Sequence, residues 1–156
     1  RPVSPAFLFA ALLWHEVLAA WKKIEAQGMP TIPALYHAMD QVLQVQAEQL
    51  AIPRRFGADM KDIWALQPRL LNRSGRRPYH LLGHMRFRAG FDFLLLRCAS
   101  GEIDAGIGGW WEQFQHADEA ARAGMLLKES PGSGKKRRRP RRRKKPAVAA
   151  ASAVPE

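Results

Sequence analysis

The chain has 156 residues, with 25 Lys and Arg against 14 Asp and Glu, which gives a formal net charge of +11. This length allows one domain, with or without an appendage, and excludes a two-domain enzyme of ordinary size. A hydrophobic content of 47% is sufficient for a globular core, so the composition also excludes a chain that is disordered throughout.

The positive charge is concentrated in two regions. Residues 131–156 contain ten basic residues and one acidic residue, a sum of +9, whereas residues 1–130 sum to only +2. Within that body, residues 54–97 hold ten basic residues against three aspartates, a sum of +7. An anionic polymer is therefore the natural partner for both regions.

The first half of the chain predicts two long helices, because its apolar spacing is helical and no alternating strand pattern occurs. Ser4 and Pro5 form an N-cap and first-turn signal for a helix that we expect to end near Gln27. Apolar residues cover more than one face of its first half, which we expect to be deeply buried. A second helix is predicted from about Thr31 to about Leu50.

Four shorter helices are predicted after a turn at residues 52–57. Asp59 is expected to cap the third helix, which Pro68 kinks or splits, and the loop 72–78 ends in a proline that opens a short fourth helix. The fifth, from about Met85 to Ala99, is apolar nearly all round and is the predicted central core helix.

A glycine-rich linker is predicted next, and then a sixth helix from Trp110 to about Ala123. The expected fold class is all-α, an irregular bundle of five to seven helices. We expect a helical body at residues 1–130 and a disordered basic tail at residues 131–156, because like charges repel and the tail has little apolar surface to bury.

The single cysteine and the lengths of the apolar segments indicate the cellular compartment in which the protein is expected. Cys98 excludes an intrachain disulfide, and its apolar neighbours predict a buried, inert thiol that suits a reducing cytosol. The apolar run Ala6–Trp14 is far shorter than the ~20 residues that span a bilayer, so no membrane partner is expected.

Signals of catalysis are scarce. Glu102 and Asp104 have the spacing of a metal-binding carboxylate pair, but they follow a predicted helix and are better interpreted as solvated loop acids. His80 and His84 can share a helical face as zinc ligands do, yet no third ligand accompanies them, which favours packing or loop-facing roles. No catalytic residue, metal ligand or cofactor site is therefore assigned to this chain.

The arginines are the residues that best indicate a function, because the planar guanidinium group binds phosphate through two hydrogen bonds and stacks on bases. The candidate RNA-binding residues of the body are Arg54, Arg55, Arg69, Arg73, Arg76, Arg77, Arg86 and Arg88. We expect Arg88 to pair with Asp92, and Arg97 to extend its charge from the core helix to solvent. Three aromatic residues among these arginines are expected to pack in the core and only secondarily to offer stacking faces: Phe56, Tyr79 and Phe87.

The tail adds ten further candidate RNA-binding residues: Lys135, Lys136, Arg137, Arg138, Arg139, Arg141, Arg142, Arg143, Lys144 and Lys145. Their binding to phosphates should be strongly salt-dependent and nearly independent of base sequence. A nuclear localisation signal is the competing interpretation of this run.

Several stretches together identify a family. The matching segments are Phe7–Trp14, Ile52–Phe56, Ile63–Leu70, Arg76–His84, Phe87–Ala89, Phe91–Arg97, Trp110–Trp111 and Phe114–Gln115. Over about residues 5–116 the body resembles the C-terminal part of bacterial poly(A) polymerases, relatives of the tRNA CCA-adding enzymes among the class II nucleotidyltransferases. The basic tail also resembles the end of the chain in that family.

The resemblance implies a cytoplasmic bacterial enzyme that adds AMP from ATP, with Mg²⁺, to the 3′ ends of RNA and so promotes RNA decay. It implies an all-α body that holds single-stranded RNA 3′ ends, with RNA-decay proteins as further partners. The family's N-terminal catalytic part is absent from this sequence, and Glu102 and Asp104 do not correspond to its carboxylates. We therefore expect a fragment that is inactive alone and contributes RNA binding.

Two alternatives remain open on the sequence. One is a fragment of a tRNA CCA-adding enzyme, which incorporation of C into tRNA would identify. The other is a non-enzymatic nucleic-acid-binding protein with a histone-like tail.

Overall fold

A computed structural model of the protein describes residues 2–128, and the tail residues predicted to bind RNA lie outside this range. Seven α-helices occur in the described part of the chain: α1 (Pro5–Ala26), α2 (Thr31–Gln49), α3 (Gly57–Leu71), α4 (Arg77–Leu82), α5 (Phe87–Ala99), α6 (Ala105–His116) and α7 (Glu119–Met125). A 3₁₀ turn, Arg54–Phe56, precedes α3. Within residues 2–128 there is no β-strand, and the all-α prediction is confirmed.

The two larger of three hydrophobic clusters share α3 and α5, and the small third cluster joins the end of α1 to α2 through Ile24, Ala34 and Ala38. The first joins α1 and α2 to the first half of α3 and to Phe93. The second joins the end of α3 to α4, α5 and α6, with Phe91, Trp111 and Phe114 among its buried rings. Residues of α5 enter both cores, but so do residues of α3, which also contacts α1, α2 and α4; α5 therefore shares the central position that was predicted for it alone.

Contact between α3 and α5 depends on a glycine. A Cβ at Gly90 would lie only 2.7 Å from a methyl carbon of Leu66, so any larger residue would require Leu66 or the helices to shift. The Gly90 carbonyl also accepts a hydrogen bond from Nε2 of Gln67, at 3.2 Å. This close approach fixes α3, whose last turn carries Arg69.

The start of α1 is capped as predicted, but its burial was predicted wrongly. Ser4 Oγ accepts a hydrogen bond from the Phe7 N–H, and Pro5 occupies the first turn. Leu8 and Leu12 are 58% and 59% exposed, because α2 and α3 cover only one side of this helix. The first half of α1 therefore exposes one apolar face to solvent.

Helix α3 begins two residues before its predicted cap. Phe56 is the N-cap residue, and Asp59 lies in the first turn, where it forms an ion pair with Arg86. Pro68 neither splits nor ends the helix, which continues to Leu71. The short helix α4 opens with Pro78 in its first turn, as predicted.

The predicted glycine-rich linker is wrong, since α6 begins at Ala105. Asp104 caps this helix by accepting a hydrogen bond from the Gly106 N–H at 2.7 Å. A Cβ at Gly108 would lie 2.9 Å from Leu95, so the small residues allow α6 to approach α5 closely. The predicted sixth helix is in fact two, because α6 ends at His116 and α7 begins at Glu119.

Two side chains of α5 differ from expectation. Arg97 is buried, at 7% exposure, and does not extend to solvent. Cys98 is half-buried rather than fully buried, with its sulfur 3.5 Å from the Asp104 carbonyl. Within residues 2–128, none of the helices is long and apolar enough to cross a membrane.

Candidate nucleic-acid interface

The eight arginines predicted from the body fall into three places on its surface. Arg54 and Arg55 lie in the 3₁₀ turn, and Arg86 and Arg88 lie at the start of α5. The other four surround the junction of α3 and α4: Arg69, Arg73, Arg76 and Arg77. We call these four the loop-arginine cluster.

Local backbone chemistry positions the loop-arginine cluster. Helix α3 places Arg69 in its last turn and ends at Leu71. Its C-cap residue is Asn72, whose side-chain oxygen accepts a hydrogen bond from Ser74 Oγ at 2.9 Å. Gly75 has φ +61°, a conformation that favours glycine and turns the chain toward α4. Arg76 and Arg77 then form the entry to α4, so four guanidinium groups belong to nine consecutive residues.

Two clefts adjoin the loop-arginine cluster. One of about 310 Å³ is lined by Pro68, Leu71, Asn72, Arg73, Ser74, Arg77, Leu127 and Lys128. The other, of about 610 Å³, is lined by Ile32, Pro68, Arg69, Asn72, Arg77, His80 and Leu81. Arg77 lies between them, and neither lining includes a carboxylate of the described chain. The combined surface is cationic, with an amide and a hydroxyl as further hydrogen-bonding groups.

The loop-arginine cluster is not neutralised by acidic residues of the described chain. None of its four members forms an ion pair with a carboxylate in residues 2–128. Arg69, Arg76 and Arg77 are exposed, and Arg73 is half-buried. Their charge is therefore available to an anionic ligand.

Trp110 holds Arg73 in place. The guanidinium carbon of Arg73 lies 5.6 Å from the centre of the Trp110 ring, which stacks on Phe114 at 4.7 Å. Trp110 Nε1 donates a hydrogen bond to the Met125 carbonyl at 3.0 Å, so the same ring also fixes the end of α7. Arg73 Nε is shielded from solvent and has no hydrogen-bond partner within residues 2–128. A cation–π contact of this kind orients the guanidinium without neutralising it.

The arginines of α5 are engaged with acids. Arg86 forms an ion pair with Asp59 of α3, and Arg88 Nε lies 3.3 Å from Asp92, the i, i+4 pair that the sequence predicted. Because each of these two arginines is paired with an aspartate, this part of the surface carries less net positive charge than the loop-arginine cluster.

The arginines of the 3₁₀ turn are exposed but isolated from the cluster. Arg54 lines a separate cleft with Lys61 and Glu48, and Lys61 itself pairs with Asp40. The Arg55 guanidinium lies 4.6 Å from the centre of the Phe56 ring. The cleft beside the 3₁₀ turn therefore carries both positive and negative side chains, unlike the loop-arginine cluster.

The three aromatic residues considered for base stacking pack mainly inside the protein. Phe87 is buried and stacks on Phe91 at 5.9 Å. Tyr79 is half-buried with its edge against Phe114, and Phe56 is half-buried against Phe9. The favoured interpretation, core packing, is confirmed for Phe87.

The carboxylate pair has structural roles. Glu102 is an exposed loop acid, as predicted, but it also pairs with Arg97 at 3.1 Å and accepts a hydrogen bond from Trp14 Nε1 at 2.9 Å. Asp104 is the N-cap of α6. His80 lies in α4, whereas His84 lies beyond its end and accepts a hydrogen bond from the Arg86 N–H. Across the described range, no three His, Cys, Asp or Glu residues come together as a metal site.

Trp110 and the segment Leu127–Lys128 belong to this surface and were not predicted from the sequence. For the segment Leu127–Lys128, the only local sequence feature that indicates packing against the body is the apolar pair Leu126 and Leu127. Their placement beside Arg73 depends on contacts between distant parts of the chain.

Comparison with known proteins assigns the family. The family model described as "Polymerase A arginine-rich C-terminus" matches residues 27–145, which include the loop-arginine cluster and the basic run of the tail. Proteins named poly(A) polymerase I are similar: that of Escherichia coli O6:H1 is 41% identical over 135 residues, 83% of this chain and 29% of that protein. The protein of Salmonella typhimurium is 39% identical over 128 residues, 80% of this chain and 27% of its own length.

A third relative agrees. Poly(A) polymerase I of Haemophilus influenzae is 36% identical over 132 residues, 81% of this chain and 28% of that protein. The chain thus spans less than a third of the length of these relatives. The extent of the family match shows that this chain belongs to the family of arginine-rich C-termini of polymerase A.

Proposed function

We propose that this chain is the RNA-holding region of a polynucleotide adenylyltransferase and that the loop-arginine cluster is the surface of its body that binds single-stranded RNA. The observation that carries the proposal is the charge of this surface. Four arginines flank one helix junction, three of them line the two adjoining clefts, and no carboxylate of the described chain lines either cleft.

The chemistry of these side chains favours the RNA backbone over the bases. Guanidinium groups bind phosphate oxygens bidentately, and such contacts carry no base-sequence information. A protein that must hold the 3′ ends of many different transcripts needs this kind of binding. If each of four arginines neutralised one phosphate, log K would change with log salt concentration with a slope of about −3.

The adenylyl transfer itself is proposed for a catalytic part outside this chain. Glu102 and Asp104 are engaged in an ion pair and a helix cap, so they do not fit a Mg²⁺ site, and no other metal-binding group occurs in residues 2–128. We propose that the chain alone is inactive and that the complete enzyme uses ATP and Mg²⁺ in a bacterial cytoplasm. The tails it adds would promote RNA decay, with decay proteins as further partners.

RNA binding is tested by a charge-matched comparison of variants of the whole chain. Arg69→Gln with Arg77→Gln removes two exposed members of the loop-arginine cluster, whereas Arg54→Gln with Arg88→Gln removes two arginines elsewhere. In fluorescence anisotropy with a single-stranded oligonucleotide, the first variant should weaken binding and reduce the salt slope by about 1.4. Equal affinities for the two variants would contradict the proposed location.

The enzymatic part is tested by exchange into a relative. This chain should replace the matching region of the Escherichia coli protein and support incorporation of AMP from ATP into RNA. For the full-length protein to which this chain belongs, incorporation of C from CTP into tRNA, without AMP addition to other RNA, would identify a CCA-adding enzyme instead. The isolated chain should incorporate neither nucleotide.

A further inference from the structure

We propose that the larger cleft beside the loop-arginine cluster is a pocket for one nucleobase of the bound RNA. This cleft, of about 610 Å³, lies between the start of α2, the end of α3 and helix α4. Its role as a base pocket rests on the proposed function and extends it, because phosphate binding alone gives the RNA bases no place on the protein.

The two clefts differ in chemistry although they share Arg77. The smaller cleft exposes polar and apolar atoms about equally, and Arg73 and the Ser74 hydroxyl are among its donors to phosphate oxygens. The surface of the larger cleft is mainly apolar. Because a phosphate gains nothing from apolar surface, the larger cleft suits the uncharged, flat part of a nucleotide, which is its base.

Three apolar residues from three helices build the larger cleft. Leu81 of α4 is 1% exposed, Pro68 of α3 is half-buried, and Ile32 of α2 is 46% exposed. This order of exposure is that of a depression in the surface, with Leu81 at the bottom and Ile32 on one wall. The Pro68 ring is rigid, so packing a base on it costs no side-chain conformational entropy.

The wall formed by Ile32 is fixed, although the side chain is exposed. Trp21 Nε1 donates a hydrogen bond to the Thr31 carbonyl at 2.8 Å, which holds the first residue of α2 against α1. Ala34 is buried in a cluster with Ile24 of α1. The start of α2 is therefore held from two sides, and a cleft that is formed before its ligand arrives saves the ordering cost of binding.

Charged groups flank the apolar cleft in the way that RNA chemistry requires. Arg69 and Arg77 both line it, and neither forms an ion pair with a carboxylate in residues 2–128. In a single strand of RNA each base lies beside charged phosphates, and proteins hold such strands by combining cationic grooves with surfaces on which bases pack. Since Arg77 also lines the smaller cleft, a phosphate bound there and a base in the larger cleft can belong to one nucleotide. Packing on a base face tolerates any of the four bases, so this pocket should add affinity without sequence preference.

The base contact is tested with two oligomers of equal charge. One is an oligoadenylate of about 6 nucleotides, within the range of about 4–16 that single-stranded sites commonly cover, and the other is its abasic counterpart, which keeps the ribose phosphates and lacks the bases. Side-chain NMR of the whole chain follows the cleft through the Leu81 methyl groups and the phosphate contacts through the Arg77 Nε–H. Ile32→Ala removes one wall of the cleft. Val45→Ala is the matched control, because Val45 is a 56% exposed apolar residue of the same helix that lines neither cleft.

The oligoadenylate should shift the Leu81 methyl signals through the ring current of the bound base, whereas the abasic oligomer should shift the Arg77 signal and leave Leu81 nearly unchanged. Ile32→Ala should weaken oligoadenylate binding about fivefold, because apolar surface that the base would cover is lost. The affinity of this variant for the abasic oligomer should be unchanged, and Val45→Ala should bind both oligomers as the original chain does.

Equal effects of the two oligomers on Leu81 would overturn the base pocket while leaving phosphate binding intact. So would equal oligoadenylate affinities of the Ile32→Ala and Val45→Ala variants, or an equal loss for both oligomers in Ile32→Ala. An Arg77 signal that neither oligomer shifts would instead refute the proposed function as well.

Discussion

Arg97, which is only 7% exposed, forms an ion pair with the exposed loop residue Glu102, and the Arg97 Nε lies 3.1 Å from the carboxylate. Trp14 Nε1 donates to the same carboxylate, and the Arg97 guanidinium lies 4.9 Å from the centre of the Trp14 ring. Gln67 of α3 completes the network, since its side-chain oxygen accepts a hydrogen bond from Arg97 at 3.2 Å. One buried cation thereby links α1, α3 and α5.

Glu102→Ala should destabilise the body by about 1.5–3 kcal/mol, because the buried Arg97 and Trp14 Nε1 both lose a charged hydrogen-bond partner. The free energy of unfolding in urea measures the loss. Glu112→Ala is the control: Glu112 pairs with His116 on the surface, and an exposed pair contributes less than about 1 kcal/mol. Similar losses in the two variants would contradict the structural role of Glu102.

Gly90→Ala should cost about 1–3 kcal/mol, because the added methyl group overlaps Leu66, which must shift within the packed contact between α3 and α5. Gly109→Ala, in α6, is the matched control. No atom lies within 4 Å of its added Cβ, so the variant should be neutral or about 0.5–1 kcal/mol more stable. Thermal or urea unfolding of both variants distinguishes close helix packing from a general effect of glycine replacement.

Adjacent leucines in α1 should respond differently to truncation. Leu13 is 2% exposed, and Leu13→Ala should cost about 2–5 kcal/mol through lost burial and a cavity. Leu12 is 59% exposed, so Leu12→Ala should change the unfolding free energy by less than about 0.5 kcal/mol. A large loss for Leu12→Ala in the isolated chain would mean that this face of α1 is covered.

Trp110→Phe should preserve the ring beneath Arg73 while removing the hydrogen bond to the Met125 carbonyl. We expect a loss of about 1 kcal/mol in stability and little change in affinity for short RNA, because the cation–π contact remains. Trp110→Ala removes both contacts and should weaken RNA binding as well. Calorimetric unfolding and anisotropy, measured on the same preparations, separate the two contributions.

The parts of the fold that could be predicted from sequence are those fixed by local signals. Ser4, Pro5 and Gly28 bound α1 through capping and turn chemistry, which does not depend on distant residues. The start of α6 could not be predicted, because the three glycines within residues 106–109 suggest a linker by propensity. Contact of Gly108 with Leu95 and Cys98 overrides that preference.

The candidate site was predictable in residue type but not in arrangement. Charge alone indicated the arginines of residues 54–97, and spacing alone predicted the pair of Arg88 with Asp92. Pairing of Arg86 with Asp59 joins residues far apart in the sequence, and so does the hydrogen bond from Leu127 to Arg73. Which arginines keep their charge available is therefore a property of the tertiary structure.

The central claim is that RNA binds at the loop-arginine cluster, and backbone amide NMR shifts of the whole chain on addition of oligoadenylate test it most directly. The largest changes among the described residues should occur at residues 72–77 and 126–128, with the amides of α2 beyond its first turn nearly unchanged. Changes centred on Arg54 and Arg55, or on α2, with residues 72–77 unaffected, would contradict the claim.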